Sequence, residues 1–122
     1  MARKFISFLL LLVLTSAGLS AQHIQGLASF ASTPNGPQAI TFTLNNADSV
    51  DSGTGTIDKV NGNIVNLSIS WSRDVDGVVT IYYQDVEQLW LANCTQGIPQ
   101  NHGGTAILND TGPSNGSWSR SN

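Results

Sequence analysis

Between Val65 and Ser72 the chain changes character at every step: Val65, Leu67, Ile69 and Trp71 alternate with Asn66, Ser68, Ser70 and Ser72. Successive side chains on a strand point to opposite faces, so this pattern predicts a strand over 63–73 with one face in a core and one in solvent. The same period of two recurs where Ile40, Phe42 and Leu44 alternate with Thr41 and Thr43, and again over 78–83. There, with Val79 and Ile81 inward, Tyr83 points in and Tyr82 points out. Over 88–92, Leu89 and Leu91 on the inner face leave Trp90 on the outer one. Shorter strands are expected over 26–32, 53–60, 105–108 and 117–121. In 53–60 the glycines of Gly53-Thr54-Gly55-Thr56-Ile57 suggest a bulge or a close backbone approach.

The segments between these runs carry turn chemistry. Asn61-Gly62 suits a tight hairpin because both residues tolerate positive φ, and Asp74-Val75-Asp76-Gly77 closes a second hairpin. Residues 45–52 form a polar connection, Cys94 to Gly104 a Gly-rich loop, and Thr111 to Gly116 a further turn. Helix-favouring residues are scarce, and no crossover helix is available to join parallel strands. The expectation is an all-β domain: a small antiparallel meander of seven to eight short strands, closed as a barrel or folded as a sandwich.

One internal echo reinforces the pattern. Ser70-Trp71-Ser72-Arg73 returns as Ser117-Trp118-Ser119-Arg120. Each copy follows a Gly-Thr strand start (Gly55-Thr56, Gly104-Thr105) and an Asn-Gly turn (Asn61-Gly62, Asn115-Gly116). Two similar hairpins in one sheet, with the tryptophans as matching core residues, account for it. In composition these glycine-threonine strands resemble the short meander barrels of avidin-like and lipocalin-like secreted proteins.

Ahead of the domain, Arg3 and Lys4 precede an apolar run from Phe5 to Leu14 and a small-residue stretch ending at Ser20-Ala21. About ten apolar residues make a signal peptide and are too few to span a bilayer. The reading is a leader over 1–21, a single domain over 22–122, and a secreted or periplasmic location. Beyond the leader, three cations (Lys59, Arg73, Arg120) face eight carboxylates, a net charge of −5. That disfavours nucleic acid and anionic lipid as partners. Cys94 is the sole cysteine, so no internal disulfide forms. It reads as a buried small hydrophobe ahead of an intermolecular or reactive thiol.

Candidate chemistry is sparse. Asp74-x-Asp76-Gly77 has the opening of a calcium loop, but Thr80 and Tyr82 occupy later ligand positions and no glutamate sits at the twelfth, so a hairpin explains it better. Asp48, Asp51 and Asp58 would act as paired carboxylates only if folding brought them together. His23 and His102 lack a second metal ligand at a recognisable spacing. No nucleophile elbow, phosphate loop or dinucleotide fingerprint is present, so neither a cofactor nor catalysis is expected. Asn66, Asn93, Asn109 and Asn115 begin N-glycosylation sequons, meaningful only in a host that modifies them. The exposed aromatics Trp90 and Tyr82 remain the expected ligand contacts, suited to a glycan, a peptide or a small apolar ligand. The alternative is an inhibitor or interaction module acting on a protein partner through its N-terminal segment or the 94–104 loop.

Overall fold

A computed structural model of the chain describes residues 22–60, 64–97 and 102–122. The leader over 1–21, the Asn61-Gly62 turn and the centre of the 94–104 loop lie outside the described residues. Eight antiparallel strands follow in chain order: β1 (Ile24–Phe30), β2 (Gln38–Leu44), β3 (Ser52–Lys59), β4 (Leu67–Arg73), β5 (Val79–Tyr83), β6 (Val86–Leu91), β7 (Gly103–Asn109) and β8 (Pro113–Arg120). Each pairs with its neighbours in sequence and β8 pairs back to β1, so the meander is a closed barrel. No helix occurs among the described residues, and none is long and apolar enough to cross a membrane.

The alternation that predicts the strands also fills the barrel. Ile24, Ala28 and Phe30 of β1 meet Ile40, Phe42 and Leu44 of β2, Ile57, Ile69 and Trp71, then Val79, Ile81, Leu89, Leu91, Leu108 and Trp118, all nearly fully buried. Eight strands enclose an interior about wide enough for side chains to fill. The centre is packed on the edge-to-face pair Phe42 and Trp118, their ring centroids 6.2 Å apart. Glycine is required where strands crowd inward: a Cβ on Gly55 would overlap the Thr43 carbonyl oxygen, the close approach expected of this strand.

Three details depart from the sequence pattern. Val65, expected inward, is 69% exposed because β4 begins only at Leu67. Residues 113–116, expected as turn, are strand. Proline at a strand's first position costs no ladder bond, and Ser114 faces inward opposite Leu108. The echo also shifts register: Gly53, not Gly55, stands opposite Trp71 as Gly104 stands opposite Trp118.

The β5–β6 connection is a two-residue loop in which Gln84 and Asp85 both have positive φ, 56° and 59°. This is the backbone of a type I′ hairpin without its usual Asn-Gly sequence. A left-handed conformation costs a non-glycine residue about 1–2 kcal/mol, while glycine adds roughly 0.5–1 kcal/mol of unfolded-state entropy. Gln84→Gly is therefore expected to stabilise the barrel by about 0.5–1 kcal/mol, read as a raised urea midpoint with unchanged slope.

Candidate functional site

Residues facing away from the core make the barrel's outer wall, which is mostly polar and uncharged, with Leu27, Ile107, Asp58 and Glu87 as exceptions. Ser68, Ser70 and Ser72 on β4, Thr80 on β5, Thr105 on β7 and Asn115, Ser117 and Ser119 on β8 carry hydroxyl or amide groups without charge. Trp90 interrupts this surface. It lies half-buried between Thr80 of β5 and Ile107 of β7, its directly paired cross-strand neighbours, and Ile107 is itself 38% exposed. Tyr82 lies two positions beyond Thr80 on the same face, diagonal to Trp90. Diagonal neighbours on one face are within reach of large side chains. Its hydroxyl donates to Glu87 Oε1 at 3.5 Å. A register shift between Ile81 and Tyr82 locally disturbs the ladder and sets Tyr82 opposite Glu87. Both predicted aromatics thus occupy one outer patch, with Thr80 and Ile107 added by the barrel's register.

The end of the barrel where β2, β4, β6 and β8 finish is closed by two arginines. Arg73 lies 5.3 Å from the centroid of the Trp71 ring. It donates from Nε to the Cys94 carbonyl at 2.6 Å, from one terminal nitrogen to the Val50 carbonyl at 2.8 Å and Asp51 at 3.2 Å, and from the other to the Ala47 carbonyl at 2.9 Å. Arg120 grips both oxygens of Asp48, at 2.9 and 2.7 Å, and reaches the carbonyl oxygens of Gly97 and His23. The two side chains are only 4% and 5% exposed. Both connections, β2–β3 and β6–β7, are therefore held by both arginines. The tryptophans beside them donate their indole N–H to backbone carbonyls, Trp71 to Thr54 at 3.1 Å and Trp118 to Ala92 at 2.6 Å.

The remaining candidates are engaged in structure. Asp74 Oδ1 accepts the amides of Asp76 and Val78, at 2.9 and 3.0 Å, stabilising the hairpin turn that explained the motif. Asp48 and Asp51 serve the arginines, Asp51 also accepts from Gln96, and Asp58 accepts the Asn66 amide, so the three carboxylates do not converge. His23 Nδ1 accepts the Asn46 amide. No cluster of metal-ligating side chains forms among the described residues.

No family model, curated protein or solved structure matches this chain.

Cys94 is 1% exposed. Burial pushes its thiol above the usual cysteine range, although the guanidinium groups of Arg73 and Arg120 pull the other way. A covered, protonated thiol is an inert core residue. A surface hollow of about 490 Å³ lies elsewhere, over Ser29, Ala31, Pro37, Ala39 and Ser117. Of the sequon asparagines, Asn66, Asn93 and Asn115 are exposed and Asn109 is half-buried. Asn115 stands beside Ile107 on the outer wall.

Proposed function

We propose that this is a secreted, non-catalytic binding domain that takes a neutral glycan on its outer wall, with Trp90 as the stacking platform and Tyr82 beside it. The observation that carries this reading is Trp90 itself: a large half-buried ring between Thr80 and Ile107 on the outer face, with the hydroxyls of β4, β5 and β8 on the same wall. Amphipathic rings pack on the apolar faces of sugars while neighbouring hydroxyls and amides exchange hydrogen bonds with theirs.

The fold argues against the other ligand classes weighed for the same patch. A small apolar ligand favours a concave apolar pocket, whereas the barrel interior is occupied by its own side chains. An extended peptide gains affinity by adding a strand to a free sheet edge, and a closed barrel has none. The five net negative charges beyond residue 21 disfavour polyanions.

Trp90→Ala and Tyr82→Ala are expected to weaken binding to a neutral glycan by roughly 10- to 30-fold for the tryptophan and less for the tyrosine, with circular dichroism and melting temperature nearly unchanged. A broad glycan array on which the parent binds nothing, or variants that bind as the parent does, sinks the reading.

The second reading, a module that engages a protein partner, is favoured by one feature. The start of the 94–104 loop is braced by Arg73 on the Cys94 carbonyl, Gln96 on Asp51 and Arg120 on the Gly97 carbonyl. A loop with a rigid base suits insertion into a cleft. The N-terminal segment is less suited, because residues 24–30 are a stave of the barrel. A partner captured from the native secretome and lost on replacing residues 98–101 with glycine and serine supports this reading over the first.

A further inference from the structure

At the end opposite the arginines polar side chains join the apolar Phe30 and Leu67 on the barrel's inward rows. Continuing those rows outward, Gln38 precedes Ile40 on β2, Lys59 follows Ile57 on β3, Tyr83 follows Ile81 on β5, Asp110 follows Leu108 beyond β7, and Ser114 begins the inner face of β8. Every second residue on a strand shares a face, so polar side chains from five places in the chain share this mouth with Phe30 and Leu67. β3 and β7 stand four staves apart in a ring of eight and face each other across the barrel. Lys59 Nζ and Asp110 Oδ2, 3.7 Å apart, therefore meet across the opening, with side chains 18% and 26% exposed.

Tyr83 is 3% exposed, and its covered hydroxyl has no hydrogen-bond partner among the described residues. A buried hydroxyl left unpaired is costly, and native structures rarely tolerate one without a reason. Burial, with the Asp110 carboxylate adding to it, pushes the phenol up to about 12, so at neutral pH it remains a donor. Mouths of β-barrels are recurrent ligand sites, and convergent polar groups are their mark.

We propose that this mouth is a second binding site, for a small neutral ligand bearing hydroxyl groups, in which a ligand oxygen accepts from Tyr83 Oη and ligand hydroxyls share Lys59 and Asp110. Neutrality follows from the ring itself, where one cation and one carboxylate cancel. Hydroxyls fit because the ring offers donors (Tyr83, Lys59) and acceptors (Asp110, Ser114), and a hydroxyl can accept from the one kind and donate to the other. Entry requires Lys59 and Asp110, 3.7 Å apart, to part. This site is independent of the outer patch: Tyr82 and Tyr83 are adjacent in sequence and stand on opposite sides of the wall.

The test is titration of the isotopically labelled protein with glycerol and a panel of neutral monosaccharides at roughly 1–100 mM, followed by amide chemical shifts. Saturable shifts are expected at Tyr83, Asp110 and Ser114. They should be retained in Trp90→Ala and weakened roughly tenfold in Tyr83→Phe. Lys59→Met combined with Asp110→Asn, which removes both charges together, provides a second variant and should weaken binding as well. Absence of saturable shifts from every probe overturns the proposal, as do shifts that Tyr83→Phe leaves unchanged. Loss of glycan binding at Trp90 with these shifts intact would remove only the outer-wall reading.

Discussion

Arg73→Ala is expected to destabilise the barrel by about 2–4 kcal/mol, chiefly by taking the donor from two part-buried backbone carbonyls. The guanidinium feeds three backbone carbonyls, those of Ala47, Val50 and Cys94, as well as Asp51. Alanine leaves the part-buried carbonyls of Ala47 and Cys94 without this donor at the closed end of the barrel, and each unsatisfied acceptor there carries its own penalty. The network, more than the charge alone, sets the size of the effect. Arg73→Lys keeps the charge, but an ammonium cannot reproduce the planar fork, so it should recover only part of the loss. Urea titrations of the three proteins decide the matter. If lysine restores full stability, the carbonyl network contributes nothing and the account of this end of the barrel is wrong.

Trp118→Ala should cost about 3–5 kcal/mol through the cavity it leaves, and Trp71→Ala a similar amount. Both rings are core residues, 4% and 2% exposed, and both indoles hold a carbonyl of the same closed end. Trp118 carries the additional edge contact with Phe42. Replacing either by phenylalanine retains most of the apolar volume and forfeits the hydrogen bond, for a smaller loss of about 1 kcal/mol. Thermal and urea unfolding of the four variants gives the comparison. A near-neutral Trp118→Ala would mean that the ring is not packed as described.

The staves were legible in the sequence wherever one face of a strand is buried, because burial imposes a period of two on the chain. Tyr83 inward, Tyr82 outward, and Trp90 opposed to Leu89 and Leu91 all follow from that period. Residues 84 and 85 were not legible as a turn, since a type I′ backbone is marked by the residues that adopt it comfortably and glutamine is not among them. Val65 and the segment 113–116 misled for a related reason: a strand's ends are set by its partners, and the pairing with β7 draws Pro113 and Ser114 into the ladder.

The outer patch was half visible. Alternation exposes Trp90 and Tyr82, while placing Thr80 and Ile107 beside them needs the register. The roles of Arg73 and Arg120 were hidden because their acceptors are mostly main-chain oxygens, which have no sequence signature, in segments 21 to 26 residues from Arg73. The polar mouth was hidden more deeply, because nothing local says that Lys59 and Asp110 face each other until the ring is closed.

That ring is sealed by the most distant parts of the domain. β1 takes β8 as its partner, and past Arg120 the side-chain amide of Asn122 accepts from the Gln25 amide and donates to the His23 carbonyl, extending the ladder as a peptide group would. The first stave therefore has an unpaired edge until the last residues of the chain arrive. Closure must wait for β8, since a contact between such remote segments bears the full entropic cost of the intervening loop. A chain threaded through a membrane pore from its N-terminus would reach the far side still open, and would lock only after its final strand had crossed.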